Sequence, residues 1–186
     1  ALDKNLWENC PDNISLHGYF QTEKYFKNIE DTIRKAFTFV DEVLQPTTKD
    51  FKENFKDTEV ISLHIRRTDY LTFEHHPVQD LNYYIKALSL LPNDIPVMVF
   101  SDDIEWCSKQ DLFQSDRFTL SIGNSTSVDM CLQTLCTYHI IANSSFSWWG
   151  SWLSNSKKTI APKNWSAGPD ANKDLSDLYL SQWFLV

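Results

Sequence analysis

Glycine and paired cysteine are scarce in this sequence, and their scarcity excludes several kinds of site. Only four of the 186 residues are glycine, and they form no glycine-rich turn. The four cysteines, at positions 10, 107, 131 and 136, make no CxxC pair and lack metal-ligand spacing with the five histidines. We therefore expect reduced thiols that pack inside a cytoplasmic protein, and we predict no metal site.

Long apolar runs and an excess of positive charge are also missing. No run approaches the roughly 20 residues that cross a bilayer, so we predict no transmembrane segment, while peripheral membrane contact stays open. The formal net charge is −8, which argues against a general nucleic-acid binder. An anionic ligand would therefore have to bind at a local cluster of basic side chains.

The composition nevertheless predicts a packed core. Hydrophobic residues make up 42% of the chain and aromatic residues 14%, which suffices for one domain or a domain with an arm. In residues 22–44, apolar side chains recur every three or four positions, as on one face of a helix that Pro46 would end. Residues 47–59 are polar and charged and are the best linker candidate, with room for one short helix. We therefore predict a helical arm and linker over 1–58 and a second domain over 59–186.

After residue 59 the pattern alternates between strands and helices. The predicted strands cover residues 60–65, 97–100, 118–121, 139–142 and 158–161. The predicted helices cover 81–90, a short segment capped by Ser101, 127–137 capped by Ser127, and 145–153. Helical segments between strands indicate βαβ units, so we predict the α/β class with a Rossmann-like parallel sheet and flanking helices. In such a sheet, ligands bind beyond the carboxyl ends of the strands.

The first strand leads into the densest group of chemically reactive side chains. His64, Arg66, Arg67 and Asp69 follow within six positions, where the apolar run ends. Two adjacent arginines suit an anion, because guanidinium binds phosphate through paired hydrogen bonds and stays charged. On residue types alone, a surface salt-bridge cluster between the arginines and nearby acids has about equal weight.

Two further junctions have both a structural and a functional interpretation. Asn143, Ser144 and Ser145 open a predicted helix, where they would cap it, bind phosphate through N–H and hydroxyl groups, or do both. We favour both roles. Asp129 lies in the first turn of its helix, where a carboxylate either stabilises the helix or accepts hydrogen bonds from the donor edge of guanine. We leave these two alternatives open.

The string His-x-Arg-Arg-x-Asp at residues 64–69 resembles the signature shared by α-1,2-, α-1,6- and protein O-fucosyltransferases. Four further blocks narrow the resemblance to glycosyltransferase family 11. They lie at residues 18–26, 100–103, 129–136 and 141–153. Together the motifs run from about Gly18 to Trp165, which is nearly the whole chain.

The resemblance implies a transferase that moves L-fucose from GDP-fucose to a galactoside hydroxyl in α-1,2 linkage, with inversion, on the donor-binding half of a GT-B type fold. It implies that Asp129 binds the base with help from His64, and that a serine of the 143–145 segment contacts the donor phosphate. Arg66 is the first choice for the diphosphate, with Arg67 in support. No metal or other cofactor is implied, because the arginines neutralise the diphosphate. Asp102 and Asp103 are therefore expected to be structural.

The base that would activate the acceptor hydroxyl is not identified. Asp69 is the nearest carboxylate in sequence, although it could simply orient an arginine, and Glu74 and His75 are weaker candidates. Family members also begin with a glycine-rich strand-turn that this chain lacks, so we expect the carboxyl-terminal part of a longer enzyme, cytoplasmic or, in a eukaryote, in the Golgi lumen. The same lack keeps two alternatives open: a non-catalytic nucleotide-sugar- or glycan-binding module, and a fucosyltransferase of another linkage.

Overall fold

The computed structural model describes residues 2–17 and 20–186, so Gly18 and Tyr19 of the 18–26 block lie outside the described residues. The chain forms two compact units. The first consists of the residues up to Thr38 together with Asn172–Ser181, and the second of Phe39–Ala171 together with Gln182–Val186. The second unit contains the sheet and every predicted site residue.

A six-stranded sheet forms the centre of the second unit. Its strands are β1 (Ile61–Ile65), β2 (Val97–Ser101), β3 (Phe118–Leu120), β4 (Tyr138–Ile140), β5 (Lys158–Ala161) and β6 (Phe184–Leu185). The strands lie in the order β3-β2-β1-β4-β5-β6, and all neighbours are parallel. The α/β class and the Rossmann-like parallel sheet that the alternation predicts are therefore confirmed.

Seven α-helices lie within the described ranges. In the first unit they are α1 (Lys4–Asn9) and α2 (Glu30–Ala36). In the second unit they are α3 (Asp41–Phe55), α4 (Leu81–Leu88), α5 (Ile104–Ser108), α6 (Thr126–Leu135) and α7 (Ser145–Leu153). Within the part of the chain that the structure describes, no helix combines the length and apolar character needed to cross a membrane.

The two faces of the sheet are covered by different helices. On one face, Leu63 and Ile65 of β1 belong to a buried cluster with Tyr84 of α4 and Cys107 of α5. On the opposite face, a second cluster includes side chains from β2 and α6, with two phenylalanines of α3 packed against it. Because strand side chains alternate between faces, β1 contributes to both layers and is fully buried. This three-layer arrangement fixes the carboxyl edge of the sheet, where the candidate site lies.

The chain reverses its direction across the sheet between β1 and β4. From β1 it passes through β2 to β3, and it then returns to β4 on the other side of β1. The connections on the two sides of this point leave their strands in opposite directions, and sheets of this topology have a crevice there, at the carboxyl edge between β1 and β4. Ligands of open α/β sheets bind at such a switch point.

The predicted single helix over residues 22–44 was wrong in its bounds, and the segment after Pro46 is more helical than predicted. Two 3₁₀ turns and α2 replace the first part of the predicted helix, the chain breaks at 37–40, and α3 then continues through Pro46. Proline within a helix removes one backbone hydrogen bond. The supposed linker is helical because Phe51 and Phe55, four residues apart with ring centroids separated by 4.9 Å, pack against the sheet.

The packing of α3 is also relevant to the predicted domain boundary after residue 58. The contacts of α3 group residues 39–58 with the sheet rather than with the segment before them. The first unit instead includes residues 172–181. In this segment the Asp177 carboxylate accepts a hydrogen bond from the Leu2 backbone N–H at 2.7 Å and forms an ion pair with Lys24. The assignment of 1–58 and 59–186 as separate domains stays a prediction.

Two helix starts also differ from their predicted positions. Asp103, not Ser101, caps α5 by accepting from the Trp106 backbone N–H at 3.0 Å. Ser125, not Ser127, caps α6 by accepting from the Val128 backbone N–H at 3.3 Å. Both errors are small, because neighbouring Ser and Asp residues are all good capping residues and only the backbone geometry decides between them.

Candidate active site

The predicted site residues lie along the carboxyl edge of the sheet. Arg66 follows β1, Asp102 follows β2, and Asn143 follows β4. A direct hydrogen bond joins the β1 and β4 sides, because the Tyr70 hydroxyl donates to the Asn143 backbone oxygen at 3.1 Å. Arg66 and the start of α7 therefore flank the switch-point crevice from opposite sides.

Arg66 is the more accessible of the two arginines. Its side chain is 34% exposed, and its guanidinium donates to Asp69 at 2.9 Å and lies 3.4 Å from Asp102. The guanidinium also lies 5.5 Å from the centre of the Tyr70 ring. The hydrogen bond that Arg66 donates to Asp69, more than any other influence, raises the pKa of Arg66, so the group stays charged. Its open side is available to an anion.

Arg67 is held more firmly by the protein. Its side chain is 15% exposed, its Nε lies 3.2 Å from Asp103, and its guanidinium stacks 3.8 Å from the centre of a Trp106 ring. A guanidinium over a tryptophan face is a stabilising arrangement. Both features join the loop after β1 to α5, so Arg67 has a structural role in this geometry, with less of its surface open to a ligand.

Asp102 organises the loop after β1. Its carboxylate accepts from the backbone N–H groups of Arg67 at 2.9 Å and Thr68 at 3.1 Å, and from the Thr68 hydroxyl. It also lies beside Arg66. Sequence reasoning gave this pair of aspartates a structural role but did not identify the loop as its target. Among the described residues, no three His, Cys, Asp or Glu side chains group as a metal site.

Asp69 is poorly suited to take a proton from an acceptor. Its hydrogen bond with Arg66, the largest influence, holds the pKa of the Asp69 carboxyl below its usual value. A carboxylate that is stabilised in this way is a weaker base. The geometry therefore favours the orienting role for Asp69 over the catalytic one.

His64 is almost completely buried beneath α7. Its Nδ1 lies 2.9 Å from the Ser147 hydroxyl oxygen, and its ring packs against Phe146 at 5.4 Å between centroids. Burial, a larger influence than the neighbouring charges of Asp102 and Arg66, lowers the pKa of His64 to about 4. The imidazole is therefore neutral near pH 7. Sequence reasoning missed Ser147, since nothing distinguishes it from the other serines of α7.

The start of α7 is a neutral polar junction. Asn143 is 1% exposed, and its side-chain amide donates to the backbone oxygens of Pro77 and Trp165, both at 3.0 Å. Its side-chain oxygen has no hydrogen-bond partner among the described residues. Ser144 caps α7 by accepting from the Phe146 backbone N–H at 3.3 Å, while Ser145 is exposed. Unpaired N–H groups in this first turn can bind an anion.

Asp129 lies further along the same edge, beside the end of β3. Its carboxylate accepts from the Ser121 hydroxyl at 2.6 Å, and its burial raises the pKa of the carboxyl above the usual value. β3 is two strands from β1, which corresponds to about 10 Å. Asp129 therefore lies on the same edge of the sheet as Arg66, on the far side of β2.

Comparison with known proteins gives a consistent family assignment. The model of glycosyl transferase family 11 matches residues 4–186. The chain is 38% identical over 181 residues to an alpha-1,2-colitosyltransferase of Escherichia coli, covering 91% of this chain and 62% of that protein. It is 31% identical to the O-antigen biosynthesis glycosyltransferase WbnK of Escherichia coli, covering 89% of this chain and 60% of the relative.

A more distant similarity extends the comparison to an animal protein. The chain is 26% identical over 154 residues to a galactoside 2-alpha-L-fucosyltransferase of Caenorhabditis elegans, covering 76% of this chain and 43% of that protein. The chain thus spans about three fifths of the length of the two bacterial relatives. With a family model matched over nearly its whole length, the chain belongs to glycosyltransferase family 11.

Proposed function

We propose that this chain contains the donor-binding part of a GDP-fucose-dependent fucosyltransferase that forms an α-1,2 linkage to a galactoside, with inversion and without a metal ion. The observation that carries the proposal is the placement of Arg66 and the start of α7 on opposite sides of the switch-point crevice. A diphosphate in this crevice would meet a charged guanidinium on one side and helix N–H groups on the other.

The same geometry supports a role in the chemical step. When the bond between the sugar anomeric carbon and the diphosphate breaks, negative charge grows on the diphosphate. Arg66, whose charge is already oriented by Asp69 and Asp102, would stabilise that growing charge without rearranging. Arg67 would contribute indirectly by holding the loop.

Asp129 supports guanine as the base. Guanine presents adjacent N–H donors, and a half-buried carboxylate that already accepts from Ser121 has acceptor capacity left for them. Protonation of Asp129 would remove that capacity. His64, buried and neutral, would assist through its second ring nitrogen, because Ser147 engages the first.

A second donor deserves a direct test. The similarity to the alpha-1,2-colitosyltransferase is greater than the similarity to the named fucosyltransferase. Colitose differs from L-fucose only by lacking the 3-hydroxyl group, so one site could accept either sugar. The galactoside acceptor rests on the name of the Caenorhabditis elegans relative, and cytoplasmic location remains part of the proposal.

The test uses the full-length protein. Calorimetry should show tighter binding of GDP than of ADP or UDP, with or without EDTA. Transfer to a β-galactoside should proceed from GDP-fucose or GDP-colitose, and the ratio of the two rates identifies the donor. Equal affinity for the three diphosphates would remove the guanine assignment, and a requirement for Mn²⁺ would reject the metal-independent mechanism. Binding of GDP without transfer or donor hydrolysis would leave only the non-catalytic module.

A further inference from the structure

We propose that His75, oriented by Asp170, is the general base that removes the proton from the acceptor hydroxyl. This inference rests on the proposed transferase function and adds the group that the donor site lacks. Inversion by direct displacement needs a base on the acceptor side, because the attacking oxygen must lose a proton as it bonds to the sugar. His75 and Asp170 both lie in the second unit.

The acidic side chains closest to the arginines are already occupied. Asp69 is bound to Arg66, and Asp102 accepts from the loop after β1. Asp103 is bound to Arg67 and caps α5. Taking up a proton would break these interactions, so none of the three is suited to be the base.

His75 and Asp170 form a histidine–carboxylate pair. His75 Nδ1 lies 3.0 Å from an Asp170 carboxylate oxygen, and the two side chains are 38% and 22% exposed. A carboxylate on one ring nitrogen fixes the tautomer that leaves the other nitrogen, Nε2, as the acceptor. This is the arrangement that activates a hydroxyl in many unrelated enzymes.

The backbone around the pair is fixed as well. The Ala167 N–H donates to the His75 backbone oxygen at 2.8 Å, which joins the two loops beside the side-chain contact. Gly168 has φ +53°, and a Cβ there would lie 2.8 Å from the Glu74 backbone oxygen. Only glycine fits this position without strain, so the close approach of the two loops depends on it.

A continuous aromatic surface links the pair to Arg66. Tyr70, which lies beneath the Arg66 guanidinium, stacks on His76 with ring centroids 4.9 Å apart. Phe73 in turn contacts His76 at 5.6 Å and His75 at 5.1 Å, and is 51% exposed. An aromatic surface of this kind suits the apolar face of a sugar ring. An acceptor lying on Phe73 would therefore present one hydroxyl to the donor sugar at Arg66, with the ring of His75 beside that same hydroxyl.

The step is balanced without any further reactant. Neutral His75 accepts the acceptor hydroxyl proton at Nε2, and the hydroxyl oxygen forms a bond to the anomeric carbon of the donor sugar. The bond from that carbon to the diphosphate oxygen breaks, and its electron pair leaves with GDP. His75, still in contact with Asp170 through Nδ1, then releases the Nε2 proton to solvent.

Glu74 is the rival base, because it is exposed and adjacent to His75. Within the described residues, no hydrogen bond orients its carboxylate, whereas Asp170 orients His75. The experiment compares His75→Ala, Glu74→Gln and Asp170→Asn in the full-length protein. His75→Ala should reduce transfer by roughly 10²–10⁴-fold with little change in GDP affinity, and added imidazole should restore part of the activity. Asp170→Asn should show a smaller loss, and Glu74→Gln a change of only a few fold.

Imidazole rescue separates a catalytic ring from a structural one, since a loop that has lost its fold regains nothing from free imidazole. The assignment is overturned if His75→Ala still transfers the sugar. It is also overturned if imidazole restores no activity to His75→Ala and Glu74→Gln is equally impaired. A wild-type protein that binds no GDP and transfers no sugar would instead reject the proposed function, and His75 with it. If both the wild type and His75→Ala transfer the sugar, His75 is not the base, while the proposed function stands.

Discussion

Opposite sides of the switch-point crevice carry polar groups of different kinds. After β1 and β2, two arginines contact three aspartates, and we call Arg66, Arg67, Asp69, Asp102 and Asp103 the charged junction. After β4, the chain presents only uncharged groups at the start of α7, and we call Asn143, Ser144, Ser145 and Ser147 with His64 the neutral junction. The first is partly exposed, whereas most of the second is buried.

The difference reflects the cost of burying charge. A guanidinium at the solvent edge can keep its charge because carboxylates compensate it until a phosphate arrives. A group beneath α7 would lose too much hydration to remain ionised, so that side binds through fixed dipoles and hydroxyls instead. The two junctions should therefore respond differently to substitution and pH.

The largest expected effect is on the charged junction. Arg66→Ala removes the accessible guanidinium and leaves Asp69 and Asp102 facing the diphosphate, so transfer should fall by orders of magnitude. GDP binding should weaken by only about 1.5–3 kcal/mol, because the contact strengthens as the diphosphate leaves. Arg66→Lys should recover little activity, since an ammonium lacks the planar fork. Transfer kinetics and calorimetry on the same proteins measure both effects.

Arg67→Ala is the matched comparison at the adjacent position. Loss of the Trp106 stack and the Asp103 ion pair should lower the melting temperature more than Arg66→Ala does, while transfer falls less. If Arg67→Ala abolished transfer at unchanged stability, the structural role of Arg67 would be wrong, and Arg67 would act on the donor as Arg66 does.

The charged junction was largely predictable from the sequence, and the neutral junction was less so. Adjacent arginines at the end of an apolar strand predict either an anion site or a cluster with nearby acids, and parallel strands bring such junctions to one edge. The hydrogen bond between His64 and Ser147 joins residues 83 positions apart, and only tertiary packing brings them together. The His75–Asp170 pair cannot be predicted from the sequence either, because it depends on a close approach between two loops.

The helix over 41–55 shows why local patterns fail. Its sequence is polar and contains Pro46, so neither composition nor propensity predicts a helix that packs on the core. Two phenylalanines, Phe51 and Phe55, pack against the buried cluster that contains Val60 and Phe100. Conversely, the apolar pattern of 22–44 includes Ile29, 52% exposed, and Val40, 64% exposed, so no core holds a continuous helix there. Tertiary burial overrides the local signal in both cases.

Acidification should lower the free energy of unfolding, because two buried histidines must take up protons. Burial lowers the pKa of His64 and of His139 to about 4, against an unfolded value of about 6.5. The folded state therefore binds fewer protons, and stability is lost as pH falls from 6.5 towards 4. At pH 5 each histidine should cost about 2 kcal/mol relative to pH 8. Urea unfolding at the two pH values measures this, and His139→Leu should lose about half of the dependence. An unchanged dependence would show that His139 is not buried in its neutral form.

A smaller effect is expected where α7 meets α6. A Cβ at Gly150 would lie 2.4 Å from the side-chain oxygen of Gln133, which is fully buried. Alanine normally favours a helix over glycine by about 1 kcal/mol, but this overlap should reverse the sign and cost about 1–3 kcal/mol. Chemical denaturation of Gly150→Ala, Gln133→Ala and the double variant measures the coupling. Additive losses would mean that the two residues do not contact each other as the structure describes.

The smallest expected effect tests whether the neutral junction binds donor at all. Ser144→Ala removes the cap of α7, which should cost about 1 kcal/mol of stability. Asp80→Ala removes the equivalent hydrogen bond at α4, where the Asp80 carboxylate accepts from the Tyr83 backbone N–H at 2.9 Å. Both variants should therefore unfold at similarly reduced denaturant concentrations. Only Ser144→Ala should also weaken GDP, roughly fivefold, because one hydrogen bond contributes about 1 kcal/mol. If both variants bind GDP as the wild type does, Ser144 serves only as a cap, and the diphosphate is held by the charged junction alone.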